Sequence, residues 1–317
     1  MNNLMLFAKK VIYTLLFGLP LTIWLLLRDR RTIYFIPHIG LGDYCIVLGY
    51  LEEYKKQHNI HHITLVAPPN RKEVAQFYPY WDSLLVLKNP LYLGIIHFSG
   101  IPIGRTIHRK LKRIEHIVYD IPMEGLARYP SAPVDDVVKK FLDLPSTERR
   151  KGPHVPQTDI FGLIEKYDLA HRNTVLLNPY TGGQSVKEID AVFFVMLAKA
   201  LKANGFSVVT ILGSEKQTAV SGTMGMVTSL AEAWYLAQWC GYVIGMRSGF
   251  FDFIRMSDCN VIGIYDPSYK FRELFSLHLP GKDERLLELV WTKDNEKELT
   301  DKICSACQEW RMSEERQ

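Results

Sequence analysis

The chain has 317 residues, enough for about two domains of ~150 residues each. Hydrophobic residues make up 47% and charged residues 23%, a globular balance that excludes a disordered chain. A formal net charge of +4 favours anionic ligands but does not by itself point to nucleic acid. No zinc-finger spacing and no RNA-binding aromatic signature accompanies it, so nucleic acid is not expected as a partner.

The first element is an apolar run. Val11 to Leu27 carries no charge, with Lys9 and Lys10 before it and Arg28, Arg30 and Arg31 after it. Spanning a bilayer takes about 20 apolar residues, with ~17 the lower limit. Gly18 and Pro20 interrupt the run, and no small-residue cleavage site follows. A short membrane anchor, an interfacial helix and a helix packed on the first domain all fit. The expectation is that residues 1–31 bring the protein to a membrane surface, with the domains on the cytoplasmic side. Five cysteines, Cys45, Cys240, Cys259, Cys304 and Cys307, are odd in number and irregular in spacing, which suits a reducing compartment.

Residues 32–39, TIYFIPHI, form a β-branched and aromatic run that reads as a strand, and Gly40-Leu41-Gly42-Asp43 breaks it. A helix is predicted from Tyr44 to Gln57, a strand over 62–67, a helix over 70–78 and a strand over 83–87. Strand, helix, strand in alternation implies a parallel sheet. Arg105, Arg109, Lys110, Lys112 and Arg113 stand among Ile107, Leu111 and Ile114 at helical spacing, which reads first as an amphipathic surface helix with a solvated basic side and second as a face for an anionic acceptor or a membrane surface. Prolines at 122, 130, 133, 145, 153 and 156 mark a linker, with a helix near Asp135 to Leu142.

The alternation then restarts. Strands are predicted at 174–178, 206–212, 242–245 and 261–265, and helices from Glu188 to Asn204, Leu230 to Cys240 and Glu296 to Arg311. The expected domains are therefore an N-terminal segment 1–31, a first Rossmann-like domain 32–155 and a second 156–317. Cys304 and Cys307 have redox spacing but lie in the terminal helix, without the strand-to-helix context of a redox motif.

Three strand-to-helix turns carry candidate chemistry. At Gly40-Leu41-Gly42-Asp43 the glycines let backbone approach a ligand beside the positive end of a helix. Open α/β sheets bind ligands there, at the carboxyl ends of their strands. Asp43 is equally read as a helix cap. The third glycine of the dinucleotide fingerprint is missing, since Cys45 and Ile46 follow. In residues 178–190, NPYTGGQSVKEID, Thr181, Gly182, Gly183 and Ser185 can present hydroxyl and N–H groups to a diphosphate, and Lys187 adds a positive charge. The spacing is not that of a Walker A loop. In Gly245-Met246-Arg247-Ser248-Gly249-Phe250-Phe251-Asp252, Arg247 beside Ser248 and Gly249 suits a phosphate, or it pairs with Asp252 to hold the turn.

In this order the pieces resemble the heptosyltransferase-like glycosyltransferases of bacterial cell-surface polysaccharide synthesis. The matching segments are Ile39 to Asp43, Asn178-Pro179-Tyr180-Thr181 followed by Lys187, Leu212-Gly213-Ser214-Glu215, Thr228 to Glu232, Gly245 to Asp252 and Ile264 to Ser268. Each motif is short, and their common order carries the resemblance. The departure is Arg247, which stands where the family has an acidic residue; an Arg-Ser-Gly turn is closer to some fucosyltransferase-like enzymes. The resemblance implies an α/β GT-B fold, two Rossmann-like domains facing across a cleft. It implies an inverting, metal-independent transfer from a nucleotide-sugar donor to a glycan or glycolipid acceptor. It makes Asp43 the general base and gives the diphosphate to Lys187 and the Thr181–Ser185 backbone. Glu215 is placed on a ribose, and Gly40, Gly42, Ser248 and Gly249 line the ligand turns. No cofactor is implied, and no Asp-Xaa-Asp triplet offers a metal grip. A catalytically silent binding subunit with this fold and a sugar-nucleotide epimerase remain as alternatives.

Overall fold

The structure is a computed structural model, and it describes residues 10–28, 31–37, 40–111, 113–115, 132–181, 191–269, 272–279 and 283–316. The chain divides into two compact units, Met1–His154 and Val155–Gln317.

The first unit opens with helix α1, Lys10–Arg28, which contains one π-helical turn at Thr14–Gly18. Four parallel strands follow: β1 (Ile33–Phe35), β2 (Ile63–Ala67), β3 (Ser83–Val86) and β4 (Ile114–Glu115), in the order β3-β2-β1-β4. The helix predicted from Tyr44 to Gln57 is two helices, α2 (Leu41–Leu48) and α3 (Leu51–Gln57). They part at Gly49, whose carbonyl accepts from the Lys151 N–H at 3.0 Å. A Cβ on Gly49 would lie 2.8 Å from the Lys151 carbonyl, so the crossing strap needs the glycine. Short α4 (Lys72–Gln76) precedes β3. Helices α5 (Asn89–Gly100) and α6 (Pro102–Leu111) then lead to β4, and α7 (Val134–Phe141) packs on α2.

Helix α1 is part of this unit's core. Leu21 and Leu25 join Tyr34, Ile36, Val66, Ile95, Ile96 and Ile114 in one buried cluster. Its contact with α5 is close because two glycines meet: a Cβ on Gly18 would lie 2.3 Å from the Gly94 carbonyl oxygen. Three helices share a buried polar triad. Ser99 of α5 donates to the Ile95 carbonyl at 2.8 Å, and His108 Nδ1 of α6 lies 3.1 Å from the same hydroxyl. Nδ1 therefore carries the hydrogen, and Nε2, 3.3 Å away, accepts from Thr22 of α1. Burial pushes the His108 imidazole down to about 4.

The second unit has six parallel strands, β5 (Thr174–Asn178), β6 (Ser207–Leu212), β7 (Met224–Val227), β8 (Gly241–Met246), β9 (Asn260–Tyr265) and β10 (Leu286–Val290), in the order β10-β9-β8-β5-β6-β7. Its helices are α8 (Phe161–Tyr167), α9 (Ala191–Ala203), α10 (Leu230–Cys240), α11 (Gly249–Ile254) and α12 (Glu296–Glu314). Helix α10 starts on a capping box, Ser229 accepting from the Glu232 N–H at 3.2 Å and Glu232 accepting from the Ser229 N–H at 2.7 Å. Cys304 and Cys307 lie one turn apart on the buried side of α12, as apolar contributors to the core with Phe193, Leu197 and Ile303.

Candidate functional site

All strands of each sheet are parallel, so each unit gathers its strand-to-helix turns along one edge. In each sheet the strand order reverses beside one strand. In the first unit the chain runs from β1 outward to β3, then returns to place β4 on the other side of β1. In the second it runs from β5 out to β7, then returns to place β8 against β5. A crevice opens at such a switch point in an open α/β sheet. Gly40, Gly42 and Asp43 stand at the first, and Thr181, Arg247, Ser248 and Gly249 at the second.

In the first unit Gly40 is the cap of α2, and Asp43 sits three residues into it. The half-buried Asp43 turns back to accept from the Gly40 N–H through Oδ2 at 3.0 Å. Asp43 is thus the third residue of the helix rather than its N-cap, and its carboxylate closes the helix start on the Gly40 N–H, in the turn that follows β1. A side chain on Gly40 would collide with it, since a Cβ there lies 2.6 Å from Oδ2. Gly42 is buried beside it.

A strut of phenols underlies this turn. The Tyr92 hydroxyl donates to the Pro37 carbonyl and lies 3.0 Å from the Tyr44 hydroxyl, which is 3.4 Å from the Val66 carbonyl. The strut ties the end of β1 to the end of β2. Burial raises both phenols well above their ordinary range, so they stay protonated near neutrality. Arg71, in the turn after β2, pulls on both phenols electrostatically while Asp43 pushes the other way. The structure therefore brings Arg71 and Asp43 to one stretch of sheet edge. The sequence reading missed Arg71. Its signal was the Ala67-Pro68-Pro69-Asn70-Arg71 turn, another strand end of the same sheet.

In the second unit β5 ends at Asn178, whose side chain accepts from the Tyr180 N–H at 3.3 Å. The Tyr180 hydroxyl accepts from the Thr218 N–H at 3.1 Å, joining the turn after β5 to the turn after β6. Thr181 is half-buried at the mouth of this turn. Gly182, Gly183, Ser185 and Lys187 lie outside the described residues. Glu215 is exposed in the turn after β6, where Gln217 accepts from the Gly213 N–H at 2.6 Å. Strands β5 and β8 approach closely at Gly245: a Cβ there would lie 1.9 Å from the Asn178 carbonyl oxygen.

Ser248 and Gly249, half-buried, open α11 at the end of β8. Arg247 just before them is buried, and of the two arrangements open from sequence the structure has the ion pair. Its NH1 donates to Asp252 Oδ2 at 2.9 Å and to the Ser248 carbonyl at 2.6 Å. Its NH2 donates to Asp252 Oδ1 at 2.7 Å, and Nε to the Phe275 carbonyl at 3.0 Å. Four of the five guanidinium donors are therefore engaged inside the unit. Burial disfavours the charge, but the Asp252 carboxylate together with Tyr265 and Tyr269 offsets this, and the guanidinium stays protonated. Among the described residues no group of three or more His, Cys, Asp or Glu side chains is placed to hold a metal ion.

No family model and no curated protein matches the sequence. Solved structures do match. ADP-heptose lipopolysaccharide heptosyltransferase II of E. coli aligns over 90% of this chain and 99% of its own at a TM-score of 0.60 and 14% identity. The fold is that of the heptosyltransferases. E. coli heptosyltransferase WaaC, solved with ADP, aligns over 88% of this chain and 99% of its own, with a TM-score of 0.53 and 10% identity. A glycosyl transferase family 9 structure from Veillonella parvula aligns over 86% of this chain and 88% of its own, with a TM-score of 0.57 and 16% identity. The heptosyltransferase fold thus runs through both units rather than through one. At these identities the likeness concerns the fold, and each site residue stands on its own placement.

Proposed function

We propose that the protein is a glycosyltransferase that moves a sugar from a nucleotide-sugar donor to a hydroxyl of a cell-surface glycan or lipid-linked acceptor. The observation that carries this reading is Asp43. It is a carboxylate aimed by a backbone N–H, at the switch point of the first sheet, in a chain with the heptosyltransferase fold. In this reading Asp43 removes the acceptor hydroxyl's proton as its oxygen attacks the anomeric carbon. The bond from that carbon to the diphosphate oxygen breaks, the nucleoside diphosphate leaves with the electron pair, and the configuration inverts. Arg71, on the same edge, is suited to hold an anionic group of the acceptor.

The donor belongs to the second domain expected from sequence, 156–317, within the second unit, and the acceptor to the first, 32–155. Thr181, Gly182, Gly183, Ser185 and Lys187 stabilise the departing diphosphate, as N–H groups and positive charge do where negative charge develops. Ser248 and Gly249 complete the phosphate side of the switch point, with Arg247 holding their turn, and Glu215 takes a ribose hydroxyl. The proposed chemistry needs no metal and no cofactor. Cytoplasmic placement goes with this reading, because the five cysteines are buried thiols rather than disulfide partners. One similar structure is an ADP-heptose heptosyltransferase and another is a heptosyltransferase solved with ADP, which makes ADP-heptose the first donor to assay. The test is nucleoside diphosphate release from a panel of sugar nucleotides with and without a lipid-linked glycan acceptor. Acceptor-dependent release that Asp43→Asn abolishes supports the proposal.

A further inference from the structure

Helix α1 has two unlike faces. Thr14, Gly18, Leu21, Thr22 and Leu25 are buried in the first unit. Ile12, Leu15, Leu16, Leu19, Ile23 and Leu27 recur at intervals of one, three and four residues and are exposed. Leu27 is 72% exposed, Leu16 63% and Ile12 52%, an arrangement that water does not favour for so long a stripe. Trp24 is exposed beside them, and the Arg28 guanidinium lies 5.0 Å from its ring centroid. Ile103, at the start of α6, is 63% exposed.

The buried face decides between a span and a surface. At 19 residues the helix reaches spanning length. A spanning helix, however, meets lipid all round, and this one is fastened to the unit along its length. Gly18 crosses Gly94 with no room for a side chain, Thr22 donates to buried His108, and Arg113 donates to the Leu26 carbonyl at 2.7 Å. Pulling α1 across a bilayer would strip Leu21 and Leu25 from the core they share with β1 and β2. The charges suit a surface as well. Exposed Lys10 precedes the apolar stripe, exposed Arg28 and Arg31 follow it, and Lys110 is exposed on α6.

We infer that α1 lies in the plane of a membrane, its exposed stripe sunk among the acyl chains of an anionic bilayer while its other face remains part of the first unit's core. Apolar area and cations together set the strength of such binding. This inference stands on α1 alone and does not need the transferase reaction, so each is tested without the other.

The experiment is flotation of the full-length protein with phosphatidylcholine vesicles, with and without phosphatidylglycerol. Binding is expected to rise at least ~tenfold with the anionic lipid and to fall when salt screens the charges. The triple variant Ile12→Gln, Leu16→Gln, Leu27→Gln changes only exposed positions. It is expected to lose ~tenfold or more of the vesicle binding while keeping the wild-type melting temperature. Undiminished flotation of a folded triple variant overturns the inference. So does a wild-type chain that ignores anionic vesicles and instead forms a dimer that the triple variant dissolves, since the stripe would then face a second copy. Alkaline carbonate should release the wild-type chain; retention after that wash would mean a span and would also overturn it.

Discussion

Arg247 and Asp252 form a buried two-pronged ion pair, NH1 to Oδ2 at 2.9 Å and NH2 to Oδ1 at 2.7 Å, across the first turn of α11. The same guanidinium reaches the Phe275 carbonyl, so it tethers a segment 28 residues away. Removing one partner leaves the other charged and buried, at a cost of ~3–5 kcal/mol. Arg247→Ala and Asp252→Ala should therefore lower the stability of the second unit by similar, large amounts in chemical denaturation. Arg247→Lys keeps the charge but not the fork, and should fall between them and wild type. If Arg247 gripped phosphate directly, Arg247→Lys would instead lose nucleotide affinity with its melting temperature unchanged.

His108 makes the first unit sensitive to acid. Its imidazole titrates at about 4 when folded, against an ordinary value near 6.5, so the unfolded chain takes up the proton first. The stabilisation is whole above pH 6.5 and is lost as the pH falls toward 4. Between pH 7 and pH 5 the loss from this one group is about 2 kcal/mol. His108→Gln should flatten that part of the stability profile by the same amount, measured as the difference between the two proteins' denaturation midpoints at the two pH values. Parallel profiles would show that His108 does not titrate in this way.

Gly245 fixes the spacing of β5 and β8 at the second switch point. A methyl group there would meet the Asn178 carbonyl at 1.9 Å, and neither strand can yield without disturbing its ladder. Gly245→Ala should cost ~1–3 kcal/mol or more, and it should weaken nucleoside diphosphate binding by displacing the turn after Asn178. Wild-type melting and wild-type nucleotide affinity together would contradict this.

Much of the fold was legible, for reasons that can be named. β2, β5, β6, β8 and β9 are β-branched runs ended by Gly, Pro or Asn, and α10 announces itself with Ser229 and Glu232. What escaped lies mostly at edges or among buried helices. β7, Met224-Gly225-Met226-Val227, is an edge strand with a glycine inside, and β10 is the opposite edge. α5 shows little helical period because α1 and α6 cover much of its surface. At the proposed site, the placement of Asp43 was readable because a Gly-Asp turn after a strand is a local pattern. Arg71 was not, because Pro68-Pro69 reads only as a strand stop. Whether Arg247 faced a ligand or Asp252 stayed open, because a carbonyl distant in sequence, that of Phe275, helps to decide it.

Lys187 is proposed to meet the donor's diphosphate. Lys187→Ala should weaken nucleoside diphosphate binding roughly tenfold in calorimetry, with the loss shrinking as salt is added. Affinity equal to that of wild type would return Lys187 to the solvated surface.

The most direct test of the account is a comparison of wild type with Asp43→Asn, using a sugar-nucleotide donor such as ADP-heptose and a lipid-linked glycan acceptor. Removing a general base should slow acceptor-dependent nucleoside diphosphate release by ~10²–10⁴-fold. Donor affinity, read by calorimetry, and melting temperature should stay close to wild-type values, because the proposal puts the donor on the second unit and the amide oxygen of the Asn variant can still accept from the Gly40 N–H. Turnover by Asp43→Asn at the wild-type rate would contradict the account.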